Sequence, residues 1–186
     1  MSSSDTTSPR RGPSPLMGVS IGIGAVLAAV VIVIVSIVTG GSIQPGNPLD
    51  GKHLATFSRP GLASPTVSSP WTSGHPGVVV FFASWCGPCK AELPIVARWV
   101  STHNLGAIQV IGVDVNDGSA AGQSFAGRAG VTFPVAFDAD STLSSTEFAL
   151  PGLPDTVFVS GSGVVRSVVN GPITQAELAA GIHQLQ

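Results

Sequence analysis

Gly77-Val78-Val79-Val80-Phe81-Phe82-Ala83-Ser84-Trp85-Cys86-Gly87-Pro88-Cys89-Lys90-Ala91-Glu92-Leu93 runs from an unbroken apolar segment into a cysteine pair and on into a helical pattern. The β-branched and aromatic residues at 77–83 predict a strand buried on both faces. The apolar spacing from Leu93 through Trp99 predicts a helix from about Pro88 to Thr102. A cysteine at such a strand-to-helix turn lies beside unpaired helix N-terminal amides. Those amides and the helix dipole favour a thiolate over a thiol. Cys86 and Cys89 are the two cysteines of the 186-residue chain, and their spacing allows a small disulfide ring. A reversible dithiol/disulfide switch follows. A zinc site normally draws four ligands, and His53, His75, His103 and His183 are scattered without ligand spacing. A purely structural role is weak as well, because so short a ring constrains little of the unfolded chain.

The rest of the chain alternates strands and helices. Residues 51–76, broken by Pro60, Pro65, Pro70 and Pro76, predict an irregular N-terminal hairpin region. Strands are expected at 108–115, 135–137, 156–160 and 164–169, and helices at 119–128 and 141–148. Gly161-Ser162-Gly163 marks a hairpin turn. Thr174-Gln175-Ala176-Glu177 is a capping box that opens a last helix. Pro94 lies inside the first helix and removes the amide that would pair with the Lys90 carbonyl, so a kink is expected there. The pattern predicts an α/β layered sheet ending in an antiparallel hairpin.

Several motifs together resemble the thioredoxin superfamily, and within it the membrane-anchored, extracytoplasmic TlpA/ResA-like thiol–disulfide oxidoreductases of cytochrome c maturation type. The Trp-Cys-Gly-Pro-Cys core continues as Cys-x-x-Cys-x-x-Glu-x-Pro at Cys86, Cys89, Glu92 and Pro94. A later Gly-x-Pro-x-Thr is matched by Gly152, Pro154 and Thr156, followed by apolar Val157-Phe158-Val159. The resemblance covers about residues 50–186. It implies a thioredoxin-like fold, a central mixed sheet flanked by helices, and a cis Leu153–Pro154 bond opposite the cysteine turn. In cytosolic thioredoxins a buried aspartate lies on the strand six residues before the first cysteine; Val80 stands there in this chain.

Roles follow for the site residues. Cys86 is expected to be the attacking thiolate and Cys89 the resolving one. Glu92, three residues after Cys89 on the same helical face, is a candidate to handle the Cys89 proton; the alternative is a solvated helix glutamate. Gly87 allows close backbone approach of a substrate, Pro88 suits the first helical turn, and Trp85 is read as the rim of the site, with core packing as its alternative. Leu153 and Pro154 would present backbone to an incoming strand. Asp114 and Asp117 after the second strand suggest metal ligands, but loop-end carboxylates are common and they are read as such. No metal and no cofactor is assigned.

Composition adds location. Charged residues make up 10% of the chain and hydrophobic residues 44%. Leu16–Thr39 is a 24-residue segment without a charge, and a helix of that length would be about 36 Å long, enough to cross a hydrocarbon core. Arg10 and Arg11 precede it. The positive-inside rule then makes residues 1–15 a cytoplasmic tail, 16–39 a transmembrane signal-anchor, 40–50 a linker and 51–186 an extracytoplasmic domain at the cell membrane. A cleaved signal peptide is the alternative, but the apolar run is long for one and no Ala-x-Ala site follows it. From Asp50 onward nine acidic residues face six basic ones, a net charge of −3. No basic stripe for nucleic acid results.

The function expected is thiol–disulfide exchange on exported proteins, as a reductase. It implies a membrane thiol electron donor, and apocytochrome c or another exported protein as substrate. A dithiol oxidase is the catalytic alternative. A thioredoxin-fold copper chaperone is the non-enzymatic one, although its wider cysteine spacing and nearby histidine are not recognisable here.

Overall fold

The computed structural model describes residues 46–186. The expected tail, signal-anchor and most of the linker lie outside the described residues, and among those described no helix is long and apolar enough to cross a membrane.

The apolar run at 77–83 forms β3 (Gly77–Phe82), the middle strand of a five-stranded sheet, and every residue of it is buried. The short hairpin β1 (Ser58–Pro60) and β2 (Thr66–Ser68) precedes it, followed by a single 3-10 turn at Pro70–Ser73. After β3 come α1 (Cys89–Thr102), β4 (Gln109–Val115), α2 (Ser119–Arg128) and β5 (Val135–Asp138). The chain then runs through β6 (Asp155–Val159) and β7 (Val165–Asn170) to α3 (Gln175–His183). The sheet order is β5-β4-β3-β6-β7. β3, β4 and β5 are parallel, while β6 is antiparallel to β3 and β7 to β6. This is the mixed α/β sheet that the resemblance implies.

Because β3 is buried on both faces, its side chains divide between two cores. Val78, Val80 and Phe82 join Leu93 and Val96 of α1, Phe125 of α2, and Leu178 and Ile182 of α3. Val79 and Phe81 turn the other way, onto Leu49, Leu54, Phe57, Trp71, Leu143 and Phe148. α1, α2 and α3 therefore cover one face. The opposite face is covered by the irregular N-terminal region and the segment before β6, whose aromatic rings pack edge-on: Phe81 and Phe148 lie 4.8 Å apart, and Phe57 and Trp71 5.7 Å apart. Trp71 is buried despite its polar ring nitrogen, because Nε1 donates to the Ala55 carbonyl at 3.2 Å.

Two expectations need revision. Residues 46–50, read as linker, are folded onto the domain: Leu49 is buried, Asn47 bonds to Asn170, and the Asp50 carboxylate accepts from the amides of Gly46 and Asn47. The helix expected at 141–148 is one wide π-type turn, Leu143–Glu147. Asp138 takes the amides of Leu143 and Ser144, and the hydroxyls of Ser144 and Ser145 bond back to the Ser141 carbonyl. Short polar side chains thus compete with helical hydrogen bonding.

Candidate active site

β3 ends at Phe82, and Ala83–Pro88 carries the chain over the sheet edge into α1. Cys86 and Cys89 form a disulfide with Cα atoms 5.3 Å apart. The Cys89 amide, the first of α1, donates to Cys86 Sγ at 3.2 Å. This is the arrangement expected at a helix N-terminus: an amide without an intrahelical acceptor points at the sulfur and stabilises negative charge on it. Cys86 is 4% exposed and Cys89 1%, so any access comes through Cys86. Gly87 and Pro88 are exposed beside it, and Pro88 is the cap residue with helical dihedrals. Pro94 sits within α1, which continues on either side of it.

Trp85 is the exposed large hydrophobic side chain among the described residues, at 58%. Its indole N–H donates to the Asn116 carbonyl at 2.9 Å, so the ring is tethered to the loop after β4. This is the rim position rather than the core one.

Leu153 and Pro154 stand at the same end of the sheet as the cysteines. β6 begins at Asp155, which pairs with Phe81 near the end of β3. The Leu153–Pro154 bond is cis, as the resemblance implies. Pro154 is buried, and Leu153 packs against the core cluster that contains both cysteines.

Glu92 is not a solvated helix residue. It is 2% exposed, and its carboxylate accepts from Thr156 Oγ1 at 3.4 Å and from the Ile173 amide at 3.2 Å. Burial pushes its carboxyl up to about 7; those two hydrogen bonds oppose the shift, and the charges of Asp155 and Glu177 add to it. Thr156 is the strand partner of Val80, and Val80 is 1% exposed. The strand position that carries an aspartate in cytosolic thioredoxins is apolar here, and Glu92 reaches from the helix down to its immediate neighbour.

Three further acidic residues stand at this end of the sheet: Asp155, not singled out from sequence, and Asp114 and Asp117, taken there as loop-end carboxylates. Asp155, 1% exposed and directly after Pro154, accepts from Asn170 at 2.8 Å, and burial raises its carboxyl to about 6. Asp114 is fully buried, and Asp117 holds the Ser84 amide and hydroxyl at 2.6 and 2.9 Å. The readable signal for Asp114 is an acid inside the apolar run Val113-Asp114-Val115, which a loop-end carboxylate would not show.

The model of the AhpC/TSA family matches residues 51–168. The chain belongs to the AhpC/TSA family. It is similar to the thiol-disulfide oxidoreductase ResA of Bacillus subtilis, 31% identical over 96 residues, covering 52% of this chain and 53% of that protein. The chain thus spans about half the length of that curated relative. Among solved structures it is similar to a secreted disulfide oxidoreductase of Mycobacterium tuberculosis, homologous to DsbE of E. coli, at 25% identity and a TM-score of 0.62, covering 69% of this chain and 96% of that one. DsbF of the same organism aligns at 29% identity and a TM-score of 0.63, covering 70% and 95%. The thioredoxin-like α/β fold of this family is the fold described above.

Proposed function

We propose that this protein is a thiol–disulfide oxidoreductase that reduces disulfides of exported proteins. The observation that carries the reading is the Cys89 amide aimed at Cys86 Sγ, with the buried Glu92 carboxyl one helical turn further on. The similar proteins named above support the chemistry. The apolar segment 16–39 behind Arg10 and Arg11 supports a membrane anchor with the domain outside the cytoplasm.

In the reduced protein the Cys86 thiolate attacks one sulfur of a substrate disulfide. That bond breaks, the other substrate sulfur leaves as a thiolate, and a mixed disulfide joins Cys86 to the substrate. Glu92, with a carboxyl near 7, takes the proton of the Cys89 thiol. The Cys89 thiolate then attacks Cys86 Sγ and expels the second substrate sulfur. Glu92 gives the Cys89 proton to one departing substrate sulfur and the other takes its proton from water, so the substrate gains two electrons and two protons and the Cys86–Cys89 disulfide remains. A membrane dithiol returns the pair to its reduced form by the same exchange. Trp85, Gly87 and Pro88 border the attacking sulfur, and the backbone of Leu153 beside Pro154 receives the substrate strand. Apocytochrome c is one exported substrate that the resemblance implies.

The test is the equilibrium reduction potential of the purified full chain together with its redox state in cells. A potential on the thioredoxin side, near about −270 mV, with a reduced pair supports the reductase. A potential near about −120 mV with an oxidised pair reverses the direction to disulfide insertion. Cys86→Ser abolishes exchange, whereas Cys89→Ser accumulates mixed disulfides on Cys86. If the iodoacetamide rate of Cys89 exceeds that of Cys86, the two roles are exchanged.

A further inference from the structure

The loop after β4 grips the segment that leads into the cysteines. Asp117 Oδ2 accepts the Ser84 amide at 2.6 Å, and Oδ1 accepts the Ser84 hydroxyl at 2.9 Å and the Gly118 amide at 2.8 Å. One residue on, the Trp85 indole is held by the Asn116 carbonyl, and Asn116 itself adopts φ +47°. Ser84 and Trp85 are the two residues immediately before Cys86, so this loop fixes the approach to the reactive sulfur.

Beneath Asp117 lies Asp114, whose surroundings are almost wholly apolar. Its strand partners are Phe82 on β3 and Phe137 on β5. Above it sits Gly122 of α2, where an added Cβ would fall 2.0 Å from Asp114 Oδ2. Among the described residues neither Asp114 oxygen has a hydrogen-bond donor within reach. An ionised Asp114 would therefore be an unpaired buried charge next to the Asp117 carboxylate. A protonated Asp114 can donate to the Asp117 carboxylate, the hydrogen bond that raises the Asp114 carboxyl and lowers the Asp117 one, so one proton held between the two satisfies both.

We infer that Asp117 is a positioning residue for the redox turn, and that Asp114 beneath it holds the proton that seats Asp117 against Ser84. The inference rests on the reading of Cys86 as the attacking thiol. No charged group faces Asp114 from β3, β5 or Gly122 of α2; Asp117 is its ionisable neighbour. The titration directions agree with the geometry. Burial raises the Asp114 carboxyl to about 7, with the Asp117 charge and hydrogen bond adding to it. For Asp117 burial acts against the charge, but hydrogen bonds from Ser84, Gly118 and Asp114 outweigh it and hold the carboxyl below its ordinary range. The arrangement makes the set of the turn sensitive to pH: when Asp114 ionises, two carboxylates repel across the seam and the hold on Ser84 loosens.

Two measurements on the purified, reduced full chain test this. The first is the iodoacetamide rate of Cys86 at pH 7. Asp117→Ala lowers it on the order of tenfold by removing both bonds to Ser84, and Asp117→Asn, which keeps an acceptor oxygen, restores most of it. Ser84→Ala removes only the hydroxyl bond and lowers the rate by roughly threefold, which keeps the test open if Asp117→Ala does not fold. The second is a carbon-13 NMR titration of the Asp114 carboxyl, assigned with Asp114→Asn. Its midpoint lies near 7 and falls by about one unit or more in Asp117→Asn, as the neighbouring charge is lost. An unchanged Cys86 rate in both Asp117→Ala and Ser84→Ala overturns the positioning role. An Asp114 midpoint near the ordinary 3.8, or one indifferent to Asp117, overturns the proton-holding role. If Cys86 of the unaltered protein alkylates no faster than Cys89, the functional reading fails instead, and the titration still judges the carboxyl pair.

Discussion

A glutamate on a helix normally keeps its charge in water, yet Glu92 lies at 2% exposure with one hydroxyl and one amide as its hydrogen-bond donors. Two donors are fewer than an ionised carboxylate can use, so burial dominates and the carboxyl rises to about 7. Below that pH Glu92 is protonated and cannot accept from Cys89; above it the carboxylate is available as a base. The rate of resolution of a Cys86 mixed disulfide should therefore climb through pH 7. In Glu92→Gln that inflection should vanish, leaving only the rise that follows thiol ionisation near about 8.5. Stopped-flow exchange between pH 5.5 and 9 reads this, and a profile unchanged by the substitution would remove Glu92 from the proton path. The spacing Cys-x-x-Cys-x-x-Glu was enough to point at this residue. Its burial was not legible, because the groups that cover it, Thr156 and Ile173, come from β6 and the turn before α3, remote in sequence. The hold of Asp117 on Ser84 was not legible for the same reason: the two lie 33 residues apart, and only the fold brings them together.

The elements themselves were mostly readable where a local signal exists. The capping box at the start of α3 is formed as read, with Thr174 Oγ1 accepting the Glu177 amide and the Glu177 carboxylate accepting the Thr174 amide. α2 spans the expected residues because Gly118 and the Ala129-Gly130 turn bound it on either side. The 141–148 helix failed because side-chain competition at consecutive serines and threonines is not a periodicity. A tertiary requirement on α3 was also invisible. Gly181 faces the fully buried ring of Phe158, and an added Cβ would lie 2.3 Å from that ring. Phe158 sits in β6 with neighbouring strands on both sides and has nowhere to go. Gly181→Ala should therefore destabilise the domain by about 1–3 kcal/mol through overpacking, although alanine is the better helix former. Equilibrium denaturation in urea measures it; a stabilised variant would mean that α3 stands further from the sheet than described. α3 also presents the turn at Ile173 to Glu92, so the same variant should disturb the pH profile of exchange, linking helix packing to the site.

At the scale of the whole molecule, one face of the sheet carries three helices and the chemistry, and the other is closed by the N-terminal region. The carboxyls of Glu92, Asp114 and Asp155 lie at the end of the sheet where β3 and β4 finish and β6 begins: Glu92 is three residues after Cys89, Asp155 directly follows Pro154, and Asp114 pairs with Phe82 at the end of β3. All three are raised by burial, to about 7, about 7 and about 6, from 4.5, 3.8 and 3.8. A group whose folded form holds its proton more tightly than the unfolded chain stabilises the fold at low pH and loses that advantage as pH rises. Between about pH 4 and 7 the folded protein binds protons that the unfolded chain has released, so its stability should fall with rising pH. Asp117 and Asp140 are shifted the other way, and their contribution is lost only as pH drops below the ordinary carboxylate range. At about 1.4 kcal/mol per unit, Glu92 alone accounts for an upper bound of about 3 kcal/mol. The oxidised protein, in which the cysteines do not titrate, should therefore have a lower urea midpoint at pH 8 than at pH 5. Glu92→Gln should flatten that slope and be the more stable of the two proteins at pH 8. A midpoint that rises across this range would show these carboxyls ionised and compensated in the fold. The burial that makes Glu92 a base near neutral pH would then be unsupported.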